Sequence, residues 1–243
     1  MSFIIGALKV IFVLGFLIII HEGGHFLIAK LCKIKVNEFS VGFGKEIISK
    51  KKKETKYTLR LIPLGGYVNL LGEEEASNEE GSYSNAPIIK RFAILIAGAA
   101  VNIVFGIIVF FILASIVNNS MKSGIIVTQN YLENLVESVV SLFTGNVTKE
   151  QVVGPVGISA MIVKTNSLID FFYMMSVISV SLGVTNLLPI PGLDGGKILF
   201  LLVELIRRKP LKEEVEMKIT LTSLALLLTF AIMVTVKDVI NIV

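Results

Sequence analysis

Cysteine, histidine and charged residues are all scarce in this chain of 243 residues. Its one cysteine, Cys32, excludes an internal disulfide and any metal site built from several thiolates. Only 17% of the residues are charged, whereas a soluble domain carries roughly a quarter. Apolar residues make up 53% of the chain. This balance argues against a soluble domain and favours an integral membrane protein.

Long apolar blocks account for this composition. A helix that crosses a bilayer needs about 20 mostly apolar residues, and four blocks meet that length: Phe3–Ala29, Ile88–Val117, Leu168–Leu188 and Met217–Val236. The first block lacks the basic start and the small-residue cleavage site of a signal peptide, so we expect it to remain as a span. The predicted fold is therefore an α-helical multi-pass membrane protein with four transmembrane helices.

Lysine and arginine are distributed unevenly. Of the 23 such residues, 18 lie on or beside the segment between the first two spans or the segment between the last two. The positive-inside rule then places both segments in the cytoplasm and both termini outside. The basic run Lys50–Lys53 is explained by topology and by anionic lipid. We therefore expect the lipid bilayer, and no nucleic acid, as a partner of this run.

The only two histidines lie in the motif His21-Glu22-Gly23-Gly24-His25, at the end of the first apolar block. Two histidines four residues apart face the same side of a helix, and this arrangement suits a shared metal ion. The acid beside the first histidine is where a metalloprotease keeps its general base. Gly23 and Gly24 each destabilise a helix by about 1 kcal/mol relative to alanine. They indicate either close packing or simple tolerance of glycine in a membrane helix.

A catalytic zinc usually has three protein ligands, and no histidine remains to be the third. The predicted topology puts Asp170 and Asp238 on the outer side, and Glu204 has the pattern of a surface helix residue. Asp194 lies at the cytoplasmic end of the third span, at the depth of the histidines. It belongs to Asn186–Gly196, where two prolines and three glycines break the helix, as happens where backbone lines a cavity. Asp194 is therefore the predicted third ligand.

The predicted chemistry is that of a zinc hydrolase. Zinc lowers the pKa of a bound water towards about 7. We expect Glu22 to take the proton of that water and to return it to the leaving nitrogen. Asn186 is placed to donate its amide to the developing oxyanion or to the substrate backbone. A helix-capping or interhelical role is the alternative for Asn186.

Two further segments have their own character. Residues 38–72 contain short runs of β-forming residues separated by glycine, lysine and proline, which predicts two hairpins. Such an element must be buried in protein or line a cavity, and an open strand edge would be a template for an extended peptide. Residues 131–143 are apolar at helical spacing. That stretch is too short and too charged to span, so we expect an amphipathic helix at the outer surface.

Five motifs in order carry a resemblance to the site-2 protease family of bacterial intramembrane zinc metalloproteases: His21–His25, Gly42–Gly44, Leu59–Val68, Gly154–Ile158 and Asn186–Gly196. The resemblance implies Zn²⁺ bound by His21, His25 and Asp194, with Glu22 as the catalytic acid and base. It implies that Asn186 holds the substrate. The segment Leu59–Val68 is similar to a re-entrant β-loop that engages an unwound substrate helix. The implied contacts of that loop are Leu59, Arg60, Leu61, Gly65 and Gly66.

The chain departs from the family pattern in three places, one of which is Ala99, where proline is common. Gly23 stands where the family motif usually has a bulky apolar residue. Relatives with this β-loop usually insert a PDZ domain after the second span, and here only Asn118–Gln129 occupies that place. We therefore expect one domain, 1–243, with weaker gating of substrates.

The resemblance implies regulated intramembrane proteolysis of single-span membrane proteins such as anti-sigma factors and remnant signal peptides. Two alternatives stay open at this point. One is a metallopeptidase of another family that cuts at the membrane boundary. The other is a non-catalytic membrane zinc protein. A transporter would need a path of further intramembrane acids or histidines, which this chain lacks.

Overall fold

The computed structural model describes residues 2–73, 75–146 and 152–242 of the chain. Helices account for most of this length, and one small sheet interrupts them. The elements in chain order are α1 (Ser2–Leu31), β1 (Val36–Lys52), β2 (Thr55–Leu70), α2 (Ile88–Val117), α3 (Met121–Thr144), α4 (Pro155–Val163), α5 (Leu168–Asn186), α6 (Asp194–Arg207) and α7 (Glu213–Ile242).

Four of the described helices are long and apolar enough to cross a membrane: Ile4–Leu31, Ile88–Val117, Leu168–Asn186 and Glu213–Ile240. These helices confirm the predicted helical multi-pass class. The fourth begins earlier than the apolar block indicated. Its first turn carries three acidic residues, and negative charge at a helix N-terminus is favourable because it faces the positive end of the helix dipole.

The sheet between α1 and α2 confirms that residues 38–72 form strands, but the prediction of two hairpins was wrong. The segment forms two long, bent strands, and each half of β1 pairs with β2 and not with the other half of β1. β1 and β2 pair antiparallel, with several register shifts along their length. Ser40 pairs with both Thr58 and Tyr67, so the first half of β1 lies between the two halves of β2. Gly42 and Gly44 have φ angles of 88° and 82°. Such positive φ angles are easy only for glycine, which explains why β1 bends there.

The connection after α2 differs from the prediction, because α3 begins at Met121 and only three residues separate the two helices. The segment predicted as a polar link is therefore mostly helix. Ser120 caps it by accepting a hydrogen bond from the Ser123 N–H. A side chain at Gly124 would stand 2.0 Å from Ser115 Oγ, so glycine allows α3 to pack back along α2. The amphipathic helix predicted at 131–143 is the second half of this element.

The described chain divides into two compact units. One holds Ile11–Ile103 and Ser181–Leu224, and the other holds Val104–Val180 and the two chain ends. All four spans contribute residues to both units. The histidine motif, the sheet and the broken segment after α5 all belong to the unit with Ile11–Ile103, which we call the motif unit.

In the other unit, charged groups from two spans hold the short helix α4. Asp238 of α7 accepts a hydrogen bond from the Gly157 N–H at the start of α4, at 2.8 Å. Lys9 of α1 donates to the Thr165 carbonyl just past the end of α4, at 2.7 Å. An anion at the N-terminus and a cation at the C-terminus both match the helix dipole. Asp238 therefore has a structural partner within its own unit.

Candidate active site

His25 takes its orientation from the neighbouring helix α2. Its Nδ1 lies 2.7 Å from the carbonyl oxygen of Ile94. A side chain at Gly98 would stand 2.3 Å from His25 Nε2, and one at Gly24 would stand 2.6 Å from the Ala97 carbonyl oxygen. The two helices therefore approach at backbone distance, which is the close packing that was one of the two explanations for Gly24. The Ile94 carbonyl was not predicted, because a backbone acceptor has no signature in the sequence.

Three potential metal ligands converge in the motif unit. His21 Nε2 and His25 Nε2 are 3.2 Å apart. Asp194 Oδ2 lies 3.1 Å from His21 Nε2 and 3.3 Å from His25 Nε2. Both histidines are only 8% exposed. The structure thus brings together the two motif histidines and the acid that the sequence predicted, from two helices far apart in the chain.

These atoms fit a zinc ion. Tetrahedral zinc bound at about 2.0–2.1 Å places neighbouring ligand atoms about 3.3 Å apart, which is close to all three separations in the structure. Asp194 Oδ2 is buried and lacks a hydrogen bond of good geometry among the described residues. A buried acceptor of this kind is unfavourable unless something satisfies it. A cation shared with the two imidazoles would do so.

Asp194 reaches the histidines because the chain breaks between α5 and α6. A side chain at Gly195 would stand 2.2 Å from the Leu188 carbonyl oxygen, and one at Gly196 would stand 2.4 Å from that of Ile190. Only glycine permits this tight packing against the preceding backbone. Asp194 is the first residue of α6. Burial alone would raise the pKa of its carboxyl group, but the two nearby imidazoles outweigh burial and lower this pKa below its ordinary value.

A cavity of about 270 Å³ opens beside the three ligands. Its wall contains the predicted acid and base Glu22, the predicted substrate contact Asn186, and Gly65 and Gly66 of β2. The lining residues are Ile18, His21, Glu22, Phe43, Gly65, Gly66, Leu182, Asn186, Gly192, Leu193 and Asp194. Gly66 lies against Glu22, since a side chain at Gly66 would stand 3.2 Å from Glu22 Cγ. Glu22 and the sheet therefore form adjacent parts of the cavity wall.

Three of the β-loop residues predicted to contact substrate, Leu59, Arg60 and Leu61, do not line this cavity. The guanidinium of Arg60 instead bonds within the sheet. It donates to Ser40 Oγ at 3.0 Å, to the Gly44 carbonyl at 2.9 Å, to Glu38 at 2.8 Å and to the Tyr67 hydroxyl at 2.9 Å. These bonds fasten both halves of β1 and β2 to one another. In the structure Arg60 supports the shape of the loop.

Two ion pairs that the sequence did not predict hold α6, the helix that begins with Asp194. Arg91 of α2 donates to both carboxylate oxygens of Glu204, at 2.9 and 2.5 Å. The two side chains are 11% and 17% exposed, so the expectation that Glu204 is a surface residue was wrong. Lys197 donates to Glu73, at 2.6 Å. A two-pronged contact of arginine with carboxylate fixes geometry as well as charge.

Comparison with known proteins identifies the family. The model of peptidase family M50 matches residues 9–230. A protein of Fusobacterium nucleatum, named as an inferred zinc metalloprotease, is 28% identical over 326 residues, covering 93% of this chain and 96% of that protein. A similarly named protein of Clostridium acetobutylicum is 27% identical, with 93% and 95% covered. One from Helicobacter pylori strain J99 is 43% identical over 111 residues, which is 43% of this chain.

The alignment with the Fusobacterium protein is longer than this whole chain of 243 residues. That relative therefore has segments without a counterpart here. The family match, the relatives and the spans together establish the class of protein and its metal, which is zinc. The chain belongs to peptidase family M50, the site-2 protease family, and is a multi-pass membrane metalloprotease.

Proposed function

We propose that this protein is an intramembrane zinc endopeptidase that cuts peptide bonds in or near the transmembrane segments of single-span proteins. One observation carries the proposal. The ligands His21 and Asp194 and the acid Glu22 line one cavity, and the third ligand, His25, converges on the same point. His21, Glu22 and His25 lie on a helix long enough to span a membrane. A site in that position is suited to substrates that are themselves in the membrane.

In this proposal His21, His25 and Asp194 hold the zinc. Zinc held there supplies an acidified water, whose pKa falls towards about 7, and a positive charge for the substrate carbonyl. Glu22 accepts a proton on its carboxylate and delivers it to the leaving amide nitrogen. The amide of Asn186 donates to the carbonyl oxygen or to the substrate backbone, and a positioned donor of this kind stabilises the charge that develops on the oxygen.

A peptide bond inside a helix is not accessible, so the substrate must be extended at the site. The second half of β2, Gly66–Leu70, offers a strand edge that begins at the cavity. An extended peptide that pairs with such an edge gains backbone hydrogen bonds in place of those of its helix. Gly65 and Gly66 have no side chains to obstruct it. This arrangement supports, as substrates, trimmed anti-sigma factors and remnant signal peptides, the partners that the family resemblance implies.

The orientation is part of the proposal. The positive-inside rule, applied to the basic residues of the loops, supports a site towards the cytoplasm and both termini outside. A substrate cut there would release its cytoplasmic part, as regulated intramembrane proteolysis requires. Fusion of a reporter to each loop, read from both sides of the membrane, tests this placement. A reporter after α2 that reads as cytoplasmic would overturn it.

The position of the cut bond tests the proposal. The purified chain is reconstituted with a single-span substrate, and the products are mapped by mass spectrometry before chelation, after chelation, and after zinc is restored. We expect a zinc-dependent cut within the span or within a few residues of it. A cut found only well outside the span would indicate a membrane-boundary peptidase. No cut of several single-span substrates by zinc-loaded protein would indicate a non-catalytic zinc protein.

A further inference from the structure

The part of the sheet around the turn between β1 and β2, Lys45–Ile62, carries several positive charges that take no part in the active site. We call this part the basic hairpin. Four consecutive lysines, Lys50–Lys53, stand at its turn and are all exposed. None of their ammonium groups makes a hydrogen bond or an ion pair with the described residues. The adjacent acid, Glu54, is already paired with Lys30 at 2.6 Å.

Contacts with α1 show how deep each part of the sheet lies along this span. The carbonyl oxygen of Pro63 faces Gly15, 3.6 Å from where a side chain there would begin. At the other end of the hairpin, Glu54 meets Lys30. Fifteen residues of α-helix correspond to about 22 Å of rise. Because the span covers Ile4–Leu31, the inner end of the sheet is level with the middle of the span, and the lysines are level with its end.

Apolar side chains are exposed between these two levels. Ile48 is 63% exposed and Leu61 is 64% exposed, and Ile47 and Ile62 are each at least half exposed. A cluster of bare isoleucine and leucine side chains beside a spanning helix is unfavourable in water but suits lipid chains. The hairpin thus exposes apolar side chains at the depth of the hydrocarbon, beside the ion-paired Glu46 and Arg60 and the exposed Lys45, and it exposes four consecutive lysines at the depth of the headgroups. Nucleic acid would match the lysines but not the isoleucines.

We propose that the basic hairpin anchors the sheet in one leaflet, with Lys50–Lys53 bound to the headgroups of anionic lipids. Each lysine near an anionic membrane surface increases the affinity for that surface by about fivefold. The pairing of the sheet transmits this anchoring inward, because Phe39 pairs with both Tyr57 of the hairpin and Val68 of the edge beside the cavity. Lipid binding is independent of the proposed function. Only its consequence, a fixed depth for the edge that receives substrate, rests on that function.

The depth of the hairpin is tested with a fluorescent label. The full chain, with Cys32→Ser and a bimane on Ile48→Cys, is reconstituted in phosphatidylcholine vesicles that contain lipids with a quencher in mid-chain. The control carries the label on Glu80→Cys, next to Gly81, whose carbonyl accepts from the Lys35 N–H beyond the end of α1. We expect strong quenching at Ile48 and weak quenching at Glu80. Equal quenching at the two positions would overturn the insertion of the hairpin.

The role of the lysines is tested by adding phosphatidylglycerol to the same vesicles. We expect it to increase quenching at Ile48 in the parent chain. Lys50→Gln, Lys51→Gln and Lys52→Gln together should abolish that increase, with an apparent affinity for the anionic lipid about a hundredfold lower. The three arginine replacements at these positions should restore it.

A matched control removes the same charge elsewhere. Arg207→Gln, Arg208→Gln and Lys209→Gln act on an equally exposed basic cluster, and that variant should keep the lipid-dependent increase at Ile48. Zinc content, measured on every variant, reports that the motif unit is folded. An increase that survives in the lysine variant with zinc bound would overturn the proposal. So would equal loss in both glutamine variants, because the effect would then be one of net charge.

Discussion

His25 Nδ1 lies 2.7 Å from the carbonyl oxygen of Ile94, so a zinc-site histidine of one spanning helix is oriented by the backbone of the next. A carbonyl only accepts, so Nδ1 carries the hydrogen and donates it. This leaves Nε2 as the free nitrogen that points to His21 and Asp194. Such second contacts set both the direction and the basicity of a metal-binding imidazole. The close approach of α1 and α2 is therefore part of the metal site.

Gly24→Ala should weaken zinc binding, whereas Gly23→Ala should not. A side chain at Gly24 would clash with the Ala97 backbone at 2.6 Å, but one at Gly23 would have nothing within 4 Å. Separation of the two helices pulls His25 from its acceptor, which should lower zinc affinity by about 10–100-fold. Gly23→Ala should instead stabilise α1, by up to about 1 kcal/mol. Zinc titration and thermal unfolding of both variants measure this, and equal zinc affinity would contradict it.

Asp194→Ala should remove most bound zinc. The variant keeps two of the three proposed ligands, and loss of a mere supporting contact already costs about 10–100-fold in metal affinity, so we expect a larger loss here. Asp170→Ala is the matched control, because Asp170 is an exposed aspartate in the first turn of α5. Metal analysis of the purified proteins measures the zinc content of both variants. Unchanged zinc in Asp194→Ala would mean that another group is the third ligand.

Glu204→Gln should loosen α6 and with it Asp194. The substitution removes the charge that both Arg91 nitrogens contact in a mostly buried pair, and hydrogen bonds to charged groups contribute about 1.5–3 kcal/mol. We expect that loss of stability together with weaker zinc binding. Glu54→Gln, which breaks the exposed Lys30 pair, should change stability by less than about 1 kcal/mol.

Exchanging the charges of Arg91 and Glu204 distinguishes a role in positioning Asp194 from a general loss of stability. A double variant, Arg91→Glu with Glu204→Arg, can reform the pair and should recover zinc affinity relative to either single change. Calorimetry in detergent measures the zinc affinity of the double variant and of each single variant. A Glu204→Gln variant that is less stable but binds zinc as tightly as the parent would show that the pair does not position Asp194.

Asp238→Ala should destabilise the fold without reducing zinc binding. The change leaves the Gly157 N–H at the start of α4 without its acceptor, which costs about 1–2 kcal/mol for a helix-capping contact. Neither residue belongs to the motif unit. Thermal unfolding and zinc analysis measure the two effects. The control is Ser159→Ala, a half-buried residue of α4 whose hydroxyl donates only to the Pro155 carbonyl of its own helix. A loss of zinc at unchanged stability would be the opposite of this expectation.

The sequence predicted the residues whose chemistry is rare in a membrane span. His21, His25 and Asp194 stand out because apolar helices seldom carry such groups, and the structure places their ligand atoms together. The spans were predicted because their length is set by the bilayer.

Other features depend on contacts that the sequence does not display. Arg91 and Glu204 are 113 residues apart, and either alone is an ordinary charge at a helix end. The polar composition of the segment after α2 concealed the start of α3, which depends on the Ser120 cap and the fit of Gly124 against Ser115. The role of Arg60 was not predictable for the same reason. Its partners come from both strands, and only the bent sheet brings them together.

Glu22→Gln is the most direct test of the account, because the amide keeps the shape of the side chain and cannot accept the proton. Zinc content and cleavage of a single-span substrate are measured on the same reconstituted preparation, beside the parent chain. We predict full zinc occupancy with cleavage reduced by about 10²–10⁴-fold, the usual contribution of a general acid and base. Cleavage at the parental rate by the zinc-loaded variant would contradict the central claim.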